Sequence, residues 1–370
     1  MNSIKELIVS KLFSPLKIKD VTFRNRIGVS SMCQYSSIEG VATDWHLVHL
    51  GSRAVGGAGL IMAEATAVTA QGRITPGCAG IWNDDQVEAL IPITAFMERH
   101  GAVPGVQIAH AGRKGSAARP WDGGQHLEDS EGGYETLAPG DEPFDRDGLR
   151  LWKTPKMMTL SDIEQTQDAF VAAARRSVAA GYKLLEIHAA HGYLLHSFFT
   201  PIANNRTDQY GGCFENRARM LLETTCKVRE VWPENLPLAV RLSAADWDEQ
   251  GLSIHDNVQM ARWLKELGVD IVDCSAGGAS PASRSSIGNR NADQIGLAAS
   301  IREGADIMTM AVGTISDPGQ AENIIASGQA DIALIGREML RDPYWPFHAA
   351  QSLGVDTRAI MPVQNAFFVG

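Results

Sequence analysis

Leu184-Leu185-Glu186-Ile187-His188 is a short apolar run carrying one carboxylate and one imidazole, and it passes directly into Ala189-Ala190-His191-Gly192-Tyr193. Its length suits a buried strand. The segment before it, 160–180, has helical periodicity. Ser161 with Glu164 three residues later reads as a capping box at its start, and Gly181 marks its stop. Helix, glycine stop, apolar strand and polar loop make one α/β unit, with its chemistry-bearing residues where the strand ends.

Seven further runs share this character: 27–32, 60–63, 103–108, 238–242, 270–274, 306–312 and 331–335. Helical patterns follow at 215–231, 255–267, 292–302 and 318–327, with Gly268 and Gly328 placed as stops. Strands alternating with helices imply a parallel sheet covered by helices. Eight units favour an α/β fold closed as a (β/α)8 TIM barrel over an open doubly wound sheet. The alternating stretch 16–23 reads as an N-terminal β-hairpin. Segment 112–155, rich in Gly, Pro, Asp and Glu, breaks the rhythm after strand three and reads as a lid or capping insertion. The whole of 1–370 is expected to be a single domain.

Composition narrows the function. A formal net charge of −10 argues against nucleic acid and anionic membrane as partners. Cys33, Cys78, Cys213, Cys226 and Cys274 show no C-x-x-C pair and no zinc spacing, which points to a reducing compartment. The first thirteen residues, broken by Lys5, Glu6 and Lys11, make a poor signal core, and no apolar run approaches a membrane span. A cytoplasmic protein is expected.

Barrel enzymes work at the carboxyl ends of their strands. Those positions here hold Met32-Cys33-Gln34-Tyr35, Glu64-Ala65-Thr66, Gln107-Ile108-Ala109-His110, His188 to Tyr193, Arg241, Gly313 and Gly336-Arg337. His188 and His191 have three readings. They are metal ligands, although the loop offers no third ligand at a usual spacing; or buried structural imidazoles; or a donor pair for a carbonyl oxygen or phenolate, with Tyr193 delivering a proton. Cys33 is a small buried hydrophobe or, beside Gln34 and Tyr35, part of a site. Gly313 and Gly336-Arg337 close strands seven and eight, where barrels bind phosphate; alternatively they turn the chain and Arg337 pairs with an acid.

Several blocks resemble the Old Yellow Enzyme family of FMN-dependent ene-reductases. They are Met32 to Tyr35, Gly72-Arg73-Ile74-Thr75, Gln107 to Lys114, Glu186 to Leu194, Asn204 to Gly212, Glu215-Asn216-Arg217, Ile335-Gly336-Arg337 and Arg341-Asp342-Pro343. In the family's order, they span nearly the whole chain. Cys33 with Tyr35 is similar to the thermophilic-like subclass, which includes xenobiotic reductases.

The resemblance implies a barrel with bound FMN, reduced by NADPH or NADH and reoxidised by an electron-poor alkene. By position, it implies that His188 and His191 hold the substrate carbonyl and Tyr193 protonates the α-carbon. Cys33 and Tyr35 would sit by flavin and substrate. Ser31, Met32, Ala65, Gln107 and Arg241 would line the flavin, with Ala65 and Gln107 at its pyrimidine edge. Gly313, Gly336 and Arg337 would take the phosphate. A homodimer or homotetramer is also implied, with small-molecule substrates as partners.

The chain departs from the family in three places. Ser31 stands where the family usually has Pro, segment 280–292 lacks the subclass's usual loop, and 364–370 offers neither Arg nor Trp to a neighbouring site, only Phe367 and Phe368. A metal-dependent barrel hydrolase and a flavin-binding protein without turnover are the alternative functions.

Overall fold

Runs with apolar residues at nearly every position cannot leave one face in water, and closure of a sheet under a ring of helices buries both faces. The structure, a computed structural model, describes residues 10–145, 152–283 and 293–369. The chain opens with an antiparallel hairpin, β1 (Leu16–Ile18) and β2 (Val21–Phe23), paired Leu16 to Phe23. Next come β3 (Ile27–Val29), β4 (Leu60–Ala67) and β5 (Val103–Ala109). A small parallel pair joins β6 (Leu137–Ala138), within the insertion after β5, to β7 (Lys156–Met157), just past its end. Then follow β8 (Leu184–Ala189), β9 (Leu238–Ser243), β10 (Ile271–Ser275), β11 (Met308–Ala311) and β12 (Ile332–Ile335).

The eight strands β3, β4, β5, β8, β9, β10, β11 and β12 form one closed parallel barrel, sealed where β12 pairs with β3. Closure removes the open-sheet alternative. The flanking helices are α1 (Asp44–Val55), α2 (Asp84–Arg99), α3 (Leu160–Ala179), α4 (Leu194–Phe199), α5 (Phe214–Val231), α6 (Ile254–Glu266), α7 (Asp293–Ala305), α8 (Pro318–Ala326), α9 (Arg337–Arg341), α10 (Trp345–Ser352) and α11 (Val363–Val369).

Boundaries moved in instructive ways. The capping box of α3 belongs to Thr159 and Asp162, not to Ser161 and Glu164. Thr159 Oγ1 accepts from Asp162 N, while Thr159 N donates to the Asp162 carboxylate. Ser161 lies inside the first turn and instead accepts from Gln165 Nε2. β3 stops at Val29, so Ser31 to Tyr35 is loop, whereas β4 runs on to Ala67 through a register shift between Ala63 and Ala65. Gly181, Gly268 and Gly328 sit just past helix ends at positive φ, where a Cβ is unwelcome.

The hairpin decides which end of the barrel is open. Ile18, Val21 and Phe23 are buried in one apolar cluster with Leu60, Val103, Leu184, Ile271 and Ile332 from the amino ends of the strands. That end is filled with hydrocarbon, so polar chemistry is confined to the carboxyl rim. No helix among the described residues is long and apolar enough to cross a membrane.

Candidate active site at the carboxyl rim

β8 points Glu186 and His188 to the same side, two residues apart. Beyond Ala189 the backbone takes left-handed geometry at His191 (φ 59°) and Gly192 (φ 73°). Gly192 has no alternative, because a Cβ there would lie 2.2 Å from the Gly278 carbonyl oxygen. This turn folds His191 and Tyr193 back over the barrel. The His188 ring lies 5.0 Å from Tyr193 and 5.2 Å from His191, edge to face with both.

A polar scaffold holds the turn. His191 N donates to Ser243 Oγ (2.9 Å), and Gly192 N donates to His196 Nδ1 (2.8 Å). His196 Nε2 stands 3.0 Å from Asp246 Oδ1, both groups fully buried. Lys114 Nζ donates to the carbonyls of His191 (2.7 Å) and Gly278 (3.3 Å) and lies 5.1 Å from the Tyr193 ring centre.

His188 Nδ1 accepts from Ala190 N at 3.2 Å, which leaves the ring proton on Nε2. His191 Nε2 and Ser275 Oγ are 2.7 Å apart, and Ser275 Oγ donates onward to Gln294 Oε1 at 3.1 Å. Burial, then the positive charge of Arg241, push both imidazoles well below their ordinary range. They are neutral donors at pH 7. Burial also lowers His110 to about 4 and His49 to about 3.

These four imidazoles carry a consequence for stability. Once unfolded, each takes up a proton near the ordinary histidine value, while in the fold it stays neutral. Stability is therefore full above about pH 6.5 and is lost as pH falls below it, with a slope of about one proton per such histidine. Urea unfolding at pH 7.5 and pH 5 should show the loss; equal midpoints at the two pH values would contradict the neutral imidazoles.

The Ser31–Tyr35 loop is tied from below. Gln34 N donates to Glu64 Oε2 (3.0 Å), and Glu64 Oε1 lies 3.2 Å from His46 Nε2. Burial, with help from Cys78 and Glu64, pushes the Cys33 thiol well up, so it is not a thiolate at neutral pH. The Tyr35 phenol is likewise pushed up by burial.

Two cavities meet across the His191–Ser275 contact. The larger, about 570 Å³, is lined by Ser31, Met32, Arg241, Gly313, Gly336 and Arg337, together with Ser275, Gln294 and Thr314. The second, about 310 Å³, is lined by Tyr35, His191 and Tyr193 and, from the insertion, by Lys114, Pro120 and Trp152. Ala65 faces a narrow crevice shared with Tyr193. His188 lies below, 3% exposed.

Under the larger cavity runs a buried polar row. Ser31 Oγ donates to Gln107 Oε1 (3.0 Å), and Gln107 Nε2 donates to Glu186 Oε1 (2.7 Å). Arg241 Nε stands 3.0 Å from Asp273 Oδ2. Glu186, Asp273, Ser275, Gln294 and Lys114 were not singled out as site residues in the sequence. An acid two positions before His188 on one strand was the signal available for Glu186. Part of the 112–155 insertion (146–151) and most of 280–292 (284–292) lie outside the described residues, as do residues 1–9 and Gly370.

A model of the NADH:flavin oxidoreductase / NADH oxidase family matches residues 11–356. The chain belongs to that family. It is similar to the NADPH dehydrogenase of Geobacillus sp. (strain WCH70), 45% identical over 358 residues, with 96% of this chain and 98% of that one covered. Among solved structures it resembles a 2-naphthoyl-CoA reductase in complex with 2-naphthoyl-CoA, with a TM-score of 0.82 at 26% identity, covering 95% of this chain and 53% of that one. It also resembles the old yellow enzyme homologue from Zymomonas mobilis, with a TM-score of 0.73 at 25% identity, covering 92% and 93%.

Membership makes the chain an oxidoreductase, with FMN as its cofactor and NADH or NADPH as reductant, and sets aside both a hydrolase and a flavin store. Among the described residues no three His, Cys, Asp or Glu side chains are grouped to hold a metal ion. The larger cavity suits FMN. Its lining includes Gly313 at φ 130°, Gly336 and the cations Arg337 and Arg341, a donor set for phosphate. It also includes Arg241 and Ser31, which is bonded to Gln107, and the apolar Met32, Val312 and Leu334. That is the profile of a flat ring with a polar pyrimidine edge and a phosphate tail.

Proposed function

We propose that this flavin oxidoreductase is an ene-reductase, reducing alkenes conjugated to a carbonyl or nitro group with electrons from NAD(P)H. The carrying observation is the His188, His191 and Tyr193 cluster: a neutral imidazole and a phenol each about 5 Å from the neutral His188 ring at the carboxyl end of β8.

Bound FMN supplies the hydride chemistry. Ser31 and Met32 would line the ring, Ala65, Gln107 and Arg241 would meet its pyrimidine edge, and Gly313, Gly336 and Arg337 would hold the phosphate. Hydride arrival at the β-carbon of the substrate builds negative charge on its oxygen. His188 and His191 donate hydrogen bonds to that oxygen, His191 by turning onto it the one ring N–H that it otherwise gives Ser275 Oγ, and because the charge grows toward the transition state they favour it over the ground state. Both are neutral, so neither donates its hydrogen bond as an imidazolium. Tyr193, fixed beside His188, delivers its proton to the α-carbon on the opposite face.

Cys33 enters as a thiol against the ring, and Tyr35 adds a hydrogen bond to the substrate. The 112–155 insertion acts as a lid, with Pro120 and Trp152 over the second cavity. The chain assembles as a homodimer or homotetramer; Phe367 and Phe368 are more than four-fifths exposed in the single chain.

An absorbance spectrum of the purified protein, followed by titration with a para-substituted phenol, tests the assignment. A flavin spectrum that gains a long-wavelength charge-transfer band is expected. Flavin without any phenol response would remove the oxyanion site, and with it the ene-reductase reading.

A further inference from the structure

Glu186 and Asp273 are both wholly buried, with no exposed surface, and each lies within hydrogen-bonding reach of the other from β8 and β10, the two strands that flank β9. Glu186 Oε1 is satisfied by Gln107. Glu186 Oε2 and both oxygens of Asp273 receive no hydrogen bond from any protein donor. An ionised carboxylate only accepts, and a buried acceptor left without a donor is costly. Two ionised carboxylates facing each other would leave three such oxygens and two like charges in one dry pocket. One proton on the pair cancels one of the two charges and makes one oxygen a donor for another, which leaves a single anion and a single such oxygen for the nearby Arg241.

Arg241 is the partner of this pair on the cavity side. Its Nε is 3.0 Å from Asp273 Oδ2, yet that N–H is not aimed to make the hydrogen bond, so the contact is an ion pair. With one shared proton, Glu186, Asp273 and Arg241 sum to zero charge; without it, they sum to −1. Of the other groups around the pair, Gln107 from β5 is uncharged. His188 and Cys274, next along β8 and β10, are held neutral by burial. Arg241 is thus the cation acting on the pair among the described residues, and it lines the cavity assigned to FMN.

We propose that Glu186 and Asp273 share one proton and that this proton sets the charge Arg241 offers to the flavin's pyrimidine edge. The inference rests on the FMN reading above and adds a proton site to it. Two electrons and one proton convert the neutral oxidised ring to the anionic reduced ring. Once the pair has lost its shared proton, the new anion beside Arg241 raises the pair's proton affinity. The same two electrons then draw a second proton from solvent onto the carboxylates. Burial and then the nearby Asp273 push the Glu186 carboxyl up, so the coupling sets in on the alkaline side of the ordinary carboxylate range. Neither carboxylate touches the reacting atoms; both are positioning residues that act through Arg241.

The test measures the reduction potential of the bound flavin against pH in the holoenzyme, alongside Glu186→Gln and Asp273→Asn. Glu186→Gln keeps the acceptor for Gln107 and gives Asp273 a permanent N–H donor, so it imitates the protonated pair. In the wild type the slope should rise with pH, from one proton toward two per electron pair, once the pair loses its shared proton. Both variants should keep the single-proton slope throughout.

Infrared spectroscopy at pH 7, where exposed carboxylates are ionised, supplies a second readout. The wild type should show the C=O band of a protonated carboxyl, and Glu186→Gln should lose it. A flavin whose slope is the same in wild type and both variants overturns the coupling, and a wild type without the band overturns the shared proton. Failure of the flavin reading is distinguishable, because a chain that takes up no FMN would still show the band.

Discussion

Replacing His188 and His191 together by alanine is expected to leave FMN bound while slowing flavin reoxidation by an enone about 10³-fold. Removal of one oxyanion donor typically costs 10²–10³ in rate, and two donors on one oxygen act as a unit rather than additively. Flavin reduction by NADPH should change far less, since no charge develops on a substrate oxygen in that half. Rapid mixing of the reduced variant with cyclohexenone, set beside phenol titration of the oxidised variant, reads both effects. The double asparagine variant is the control for misfolding: it restores an N–H donor at each position and should recover part of the rate. Unchanged phenol affinity in the alanine variant would refute the donor pair.

Tyr193→Phe should lower the same half-reaction by ~10²–10⁴-fold, the usual contribution of a positioned proton donor. The ring remains, so the packing against His188 and beneath Lys114 Nζ is retained and the phenol site should still bind. Reduction by NADPH should proceed at close to the wild-type rate. A variant impaired in flavin reduction but not in alkene reduction would reassign the proton to another group. The two variants separate the roles, since the histidine pair affects both binding and rate, whereas the tyrosine affects rate alone.

The strands were legible because burial on both faces leaves a continuous apolar signature, and eight of them with intervening helices leave few ways to close a sheet. The His188 to Tyr193 turn was legible for a different reason. Two imidazoles and a phenol at the end of an apolar run have no structural requirement to gather there. Strand ends were less visible: β3 stops at Val29 because its ladder with β4 and β12 ends there, and the neighbours' registers are not written in residues 27–32. Thr159 displaced Ser161 as helix cap because an equally spaced box with Asp162 was available two residues earlier.

Glu186 and Asp273 could not be paired from sequence, being 87 positions apart on β8 and β10, which come together only through their common pairing with β9. Lys114 hid for a similar reason: its acceptors are carbonyl oxygens of two loops, and carbonyls leave no trace in a sequence.

The apolar hairpin at the amino end has a further consequence. With β1 and β2 stoppering it, the barrel is a cup with one mouth, and whatever reaches the ring must come and go by the same opening. On the proposed reading, the nicotinamide and the alkene are visitors to a single berth, so neither can arrive until the other has left. On that reading the order of events at the rim follows from one shared opening, which the packed barrel interior and the hairpin beneath it leave as the way in.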